Sequence, residues 1–243
     1  MDRIGGMFMQ NPALAIKRDK VKGVGATTRG IAVLTMCYLG FVVAGAFLSW
    51  RHPEFFMPHT VLLAFAALGI GYAACYMPDW TYLLGPVYAV VEGFLIGACS
   101  YGMEMMYEGI VLQAVSCTFG IALACGFVYS LGIFPVTERF RRIVSILCLG
   151  ICFVYVIDLF GFFFLGTNIP LLHESSPKGI LVSVVIIVVA VFRLYVDYDT
   201  VDKAVEAGVD VAYEPYYAFA LTVTLLWLYL EILRLLGKSR SRK

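Results

Sequence analysis

The chain has 243 residues, 61% of them hydrophobic and 14% charged, and a mean hydropathy of +0.85. A soluble domain runs nearer a quarter charged, so the soluble globular classes are excluded. A formal net charge of +1 gives no electrostatic case for a nucleic-acid partner.

The first residues, 1–29, are mixed and basic. Met7-Phe8-Met9 is too short for the apolar core of a secretory leader, and the segment reads as a cytoplasmic N-terminal tail. Residues 30–236 read as one transmembrane domain of seven helices. The spans fall near Ile31–Trp50, Thr60–Tyr76, Leu83–Tyr101, Ile110–Tyr129, Ile143–Leu165, Ile180–Asp199 and Tyr216–Leu236, each within or close to the ~17–25 residues that cross a hydrocarbon core. The second is the shortest and the third is broken early by Gly85-Pro86, so six spans and a re-entrant segment is the alternative count. Residues 237–243 read as a basic C-terminal tail. The fold class expected is thus an all-α integral membrane protein.

Local signals refine this outline. The stretch from Asp199 to Ala207 reads as a prolongation of the sixth helix, with Gly208 as its left-handed cap and Pro215 in the first turn of the seventh. Gly93 and Gly97 form a small-residue seam in the third span, and Gly69, Gly71, Ala73 and Ala74 give the second a small face. Trp50, Trp80, Tyr82, Tyr216 and Tyr217 stand at span ends as interfacial aromatics, whereas Trp227 is mid-span and reads as core. The seven cysteines show neither a disulfide framework nor zinc-ligand spacing and read as small buried packing residues.

The basic residues orient the chain. Arg3, Lys17, Arg18, Lys20, Lys22 and Arg29 precede the first span, Arg139, Arg141 and Arg142 lie between the fourth and fifth, and Lys203 between the sixth and seventh; the opposite loops hold only Arg51 and Lys178. The positive-inside rule puts the N-terminus in the cytoplasm. Seven crossings then put Lys238, Arg240, Arg242 and Lys243 on the other face, against that rule.

The intramembrane acids carry the functional signal, because a carboxylate at membrane depth costs roughly 2.5–3.5 kcal/mol on insertion scales and marks an ion or proton path. Asp199 and Glu231, on consecutive helices, read as a proton- and cation-binding pair: they share a proton when acid and offer hard oxygen ligands to calcium when it leaves. The competing reading places Asp199 at the headgroup level and pairs Glu231 with Arg234 one turn on. Asp197 has Arg193 four residues earlier as a local ion-pair partner and points about 200° away from Asp199, which makes it structural. Glu92 sits in the middle of the third span with no basic residue within a turn, so Arg193 or Arg234 is the charge it would seek. Asp158 lies near the outer end of the fifth span. His52, His59 and His173 fall in outer loops, and Glu104 with Glu108 reads as a solvated face.

At these residues the chain resembles the Bax inhibitor-1/YccA-like family, the transmembrane Bax-inhibitor-motif group. Tyr198-Asp199-Thr200 is similar to the family's aromatic-Asp-Thr at the end of the sixth helix, and Leu228-Tyr229-Leu230-Glu231 to its Leu-aromatic-Leu-acid run in the last. Glu92-Gly93 with Gly97 resembles its third-span pattern. Asn11-Pro12-Ala13-Leu14 and the run from Pro135 to Phe140 resemble the bacterial branch. The resemblance implies a bacterial inner-membrane protein, not an enzyme and without a cofactor, whose last helix is wrapped by the other six. It also implies a pH-dependent calcium leak gated by an acidic pair, carried onto Asp199 and Glu231. The chain departs from the family in having Glu rather than Asp at 231 and no basic residue between Thr60 and Tyr76 to latch the pair. Two other readings stand beside the leak: a scaffold or regulator of a partner membrane protein such as a protease, and a proton-coupled carrier with Glu92, Asp199 and Glu231 as its relay. No feature sets the oligomeric state.

Overall fold

The structure is a computed structural model that describes residues 24–161, 164, 166 and 169–242. The Asn11-Pro12-Ala13-Leu14 motif, most of the N-terminal tail and the end of the fifth span at Leu165 lie outside the described residues. Seven helices among those described are long and apolar enough to cross a membrane. They are α1 (Thr28–Arg51), α2 (Thr60–Tyr76), α3 (Thr81–Met106), α4 (Ile110–Ser130), α5 (Glu138–Phe160), α6 (Pro177–Glu206) and α7 (Glu214–Ser241). Short helical turns lead into the second, third and seventh and lengthen those spans to Pro53–Tyr76, Pro78–Met106 and Val211–Ser241.

Pro86 lies inside α3 without interrupting it, so the alternative of six spans and a re-entrant segment gives way to seven crossings. Proline removes one intrahelical hydrogen bond, and in the second turn of a long helix one bond is a small loss. The helix ends follow their sequence signals closely. Thr27 caps α1 by accepting from Gly30 N at 2.9 Å, and Thr137 caps α5 by accepting from Phe140 N at 3.2 Å. The sixth helix runs on to Glu206, and Gly208 has φ +68°. Val209 N donates to Ala204 O at 3.1 Å and Gly208 N to Val205 O at 3.0 Å, the paired bonds of a Schellman cap.

The chain folds as two compact units, one holding the described residues up to Gly102 with Asp197–Val223, the other Met103–Val196 with Thr224 onward. In the first, α1 and α3 meet at backbone distance. A methyl group on Gly93 would lie 2.5 Å from Val42 O, one on Gly97 2.6 Å from the Ala46 Cα, and one on Gly45 2.7 Å from Val90 O. The Gly93–Gly97 seam is therefore the contact with α1, where absent side chains let backbones touch. Gly93→Ala should lower stability by about 1–3 kcal/mol through overpacking, measured as thermal unfolding in detergent. Gly69→Ala, whose new methyl meets nothing within 4 Å, is the matched control and should show no loss.

The entry to α1 in the same unit is strapped to the α6–α7 connection. Ala26 N donates to Val209 O at 2.7 Å and Val211 N to Val24 O at 3.0 Å. Thr27 N donates to the Glu214 carboxylate at 2.8 Å and Thr27 Oγ1 at 3.1 Å. Glu214 is thus an anion placed at a helix N-terminus, where the backbone dipoles favour one.

In the second unit, Glu104 is not the solvated acid expected from sequence. Its carboxylate accepts from Gly109 N at 2.6 Å and Val111 N at 3.0 Å, because the first amides of α4 have no intrahelical acceptor. The expected basic tail is mostly helix: α7 continues to Ser241. Lys238 Nζ donates to Gly179 O at 3.1 Å and Ser183 Oγ at 2.8 Å, and an Arg240 guanidinium nitrogen to Glu108 O at 2.8 Å. The end of α7 therefore lies with the α3–α4 turn and the start of α6, as seven crossings require, and hydrogen bonds hold Lys238 and Arg240 there.

Two readings of surface chemistry change. Tyr216 and Tyr217 are buried rather than interfacial, since α7 packs where they project; Trp50, Trp80 and Tyr82 are exposed at span ends. Only Cys125 of the seven cysteines is buried, and Cys37, Cys75, Cys117 and Cys152 are exposed. A helix surface bathed in lipid accepts a small apolar thiol as readily as a core does.

Candidate functional site

Asp199 and Glu231 are both buried, 8% and 1% exposed. Each has a cation one turn further along its own helix. On α6, Lys203 Nζ stands 2.9 Å from Asp199 Oδ2. On α7, one Arg234 guanidinium nitrogen donates to Glu231 Oε1 at 3.2 Å and to Oε2 at 3.3 Å. Acid before base at these spacings is the favourable order on a helix. The pairing of Glu231 with Arg234 is thus the local one that helical spacing allowed.

Glu231 is held by more than its cation. The Tyr155 hydroxyl, from α5, donates to Oε1 at 2.5 Å, and Trp227 Nε1 donates to the same oxygen at 3.2 Å. Arg234 also donates to the Tyr155 hydroxyl at 2.6 Å, and its guanidinium carbon sits 5.0 Å from the Tyr155 ring centroid. Tyr155 is therefore clamped between acid and base, donating a hydrogen bond to Glu231 and accepting one from Arg234. Charge-assisted hydrogen bonds of this kind are about twice as strong as neutral ones. They offset the cost of burying the acid, which would be several kcal/mol for a lone charge.

Asp199 and Glu231 fall in different compact units, and each is characterised by its own partners. Asp197 is 3% exposed, on the face of α6 turned away from Asp199, with Arg193 half-buried one turn before it. Glu92 is buried in α3, one turn beyond the buried Tyr88. Arg234, one of the charges foreseen for Glu92, is engaged by Glu231 and Tyr155. Among the described residues no three His, Cys, Asp or Glu side chains are grouped so as to hold a metal ion.

Asp158, at the end of α5, is also committed. Its Oδ1 accepts from Ile169 N at 2.7 Å, and its Oδ2 lies 2.8 Å from His173 Nε2. His173, placed in an outer loop by sequence, stays partly exposed and is bonded to Asp158.

Lys203, Trp227 and Tyr155 were missed as site residues by the sequence reading. Lys203 and Trp227 stand four residues from Asp199 and Glu231, so helical spacing alone signals them. Tyr155 carries no such signal, since it precedes Glu231 by 76 residues.

A family model described as Bax inhibitor 1 like matches residues 8–241, nearly the whole chain. No curated protein and no solved structure gives a significant match. With seven apolar membrane-length helices and a match of that extent, the chain is an integral membrane protein that belongs to the Bax inhibitor 1 like family.

Proposed function

We propose that the protein is a pH-sensitive cation leak of the bacterial inner membrane, with its N-terminus cytoplasmic and calcium as its cargo. Flux is controlled by the two carboxylates Asp199 and Glu231, and no catalysis or cofactor enters this reading. The observation that carries it is the burial of both acids in membrane-length helices, each countered by a cation on its own helix. Such a pair is closed while the base occupies the acid and open to a metal cation when the base is displaced. The family's latch on the second span has no counterpart here; Arg234 serves in its place from within α7.

The sign of the pH response follows from competition. A protonated carboxylate is a poor ligand for a hard cation, so acid conditions empty the site and flux rises as pH rises. Calcium entry into liposomes holding the purified protein, measured across pH, tests this. Wild type should conduct faster at higher pH, and the dependence should collapse in both Asp199→Asn and Glu231→Gln. Unchanged pH profiles in both variants would remove the acids from the path. Absence of flux at every pH would favour the scaffold reading.

A further inference from the structure

The connection after α6 is gripped at the residue that closes the helix. Val209 N donates back to Ala204 O at 3.1 Å, and Val209 O accepts from Ala26 N at 2.7 Å. One residue thus ends α6 and receives the chain that enters α1. The grip continues beside it: Gly25 stands opposite Asp210 in an antiparallel bridge, and Val211 N donates to Val24 O at 3.0 Å. Glu214 seals the contact. It is 8% exposed, and its carboxylate takes both donors of Thr27. Gly30 makes room for it, since a methyl group there would fall on the carboxylate.

What this contact pins is the last turn of α6. Ala207 N donates to Lys203 O at 3.0 Å, so Lys203 opens the turn that Val209 closes. Lys203 is also the counter-ion of Asp199, with Nζ 2.9 Å from Oδ2. A pair four residues apart meets only while the chain between and around it stays helical, and terminal turns are the first part of a helix to open.

We propose that residues 24–27 form an autoinhibitory strap: docked on residues 209–214 they keep Lys203 on Asp199, and undocking frees the lysine and leaves the carboxylate to a metal cation. The physiological consequence rests on the assignment of Asp199 to the cation path; the coupling of strap to lysine does not. The strap is held by individual hydrogen bonds to a connection rather than by a sheet, so it can leave without unfolding the bundle.

Gly30→Ala tests the coupling in the full chain. The added methyl displaces the Glu214 carboxylate from Thr27 and leaves every charge on α6 in place, and alanine is favoured over glycine within a helix. Acylation of lysines by an N-hydroxysuccinimide ester in detergent, read by mass spectrometry, should be faster at Lys203 by about fivefold or more. Deuterium uptake by residues 204–210 should rise with it, and labelling of the exposed Lys178 should not change.

The converse experiment is Gly25→Cys combined with Asp210→Cys. The flanking hydrogen bonds join 26 to 209 and 24 to 211, which makes 25 and 210 the closely spaced kind of pair, about 4.5 Å between Cα atoms and within disulfide reach. A side chain at 25 meets only Val209 O, at 3.9 Å. With the link confirmed by peptide mapping, the oxidised protein should label at Lys203 more slowly than the same preparation after reduction. This comparison decides the matter even where Gly30→Ala folds poorly. Unchanged Lys203 labelling in either comparison overturns the strap, as does failure of the disulfide to form. Neither readout needs flux. Labelling that follows the strap while calcium entry into liposomes does not would keep the strap and remove the leak. Calcium entry that follows the disulfide at constant Lys203 labelling would do the reverse.

Discussion

Arg234→Gln should destabilise the protein more than Glu231→Gln, although each removes the same ion pair. The asymmetry comes from what is left behind. Removing the base strands a carboxylate whose side chain is 2% exposed, whereas removing the acid strands a guanidinium that is 35% exposed. Breaking a buried pair costs about 3–5 kcal/mol when the remaining charge is sealed in. Tyr155 and Trp227 still donate to Glu231, so a loss of about 3 kcal/mol, the lower end of that range, is expected for Arg234→Gln. For Glu231→Gln the amide still accepts from Tyr155 and Trp227, and the guanidinium keeps its hydrogen bond to the Tyr155 hydroxyl. A loss of about 1–2 kcal/mol follows, typical of weakened hydrogen bonding. Denaturant or thermal unfolding in detergent measures both. Calcium at millimolar concentration should recover part of the loss in Arg234→Gln alone, because only there is an uncompensated carboxylate on offer. Equal losses in the two variants, or recovery by calcium in Glu231→Gln, would mean that Glu231 is not the buried charge on which the clamp is built.

The outline of the fold was legible because bilayer spans are written in composition. A run of some twenty apolar residues has one solution in lipid, a helix that satisfies its own backbone. The prolonged sixth helix was legible too, since Gly208 and Pro215 bracket the connection with local backbone chemistry that needs no tertiary contact. Where sequence reading erred, tertiary packing had decided the outcome. Gly85-Pro86 looked like a break, yet Gly85 is where the Tyr38 ring presses against α3, with a methyl there falling 2.7 Å from the ring; the glycine serves that close approach, and the helix continues. Glu104 looked solvated, yet the amides that open α4 lie within its reach.

The site was legible in part. Asp199, Glu231 and Arg234 stand out as charges in apolar helices, and the spacing of Lys203 to Asp199 matches that of a helical ion pair. The clamp on Glu231 was not legible, because its central member is a tyrosine in an apolar span, a residue type that usually needs no explanation there. Only the packing of α5 within its unit brings the Tyr155 hydroxyl to both Glu231 and Arg234. The Asp158–His173 contact was hidden for a related reason: it closes a loop whose sequence shows no helix-like periodicity.

Asp197→Asn and Asp199→Asn should give opposite phenotypes, although the residues are two apart on α6. At 3.6 residues per turn their side chains diverge by about 200°, so one environment cannot serve both. Asp197 is 3% exposed, and helical spacing puts Arg193, four residues earlier, on its own face as the expected counter-charge. Neutralising such an acid strands its partner and should cost about 3 kcal/mol or more in stability, while the pH response of calcium flux persists. Asp199 is paired with a lysine whose side chain is 38% exposed. Water solvates Lys203 once the acid is gone, so Asp199→Asn should cost under about 1 kcal/mol and yet abolish the pH response. Thermal unfolding and liposome flux on the same two preparations separate the cases. If the phenotypes were exchanged, the cation path would run past Asp197, on the opposite face of α6. The Tyr198-Asp199-Thr200 match would then mark a structural ion pair instead of the functional acid.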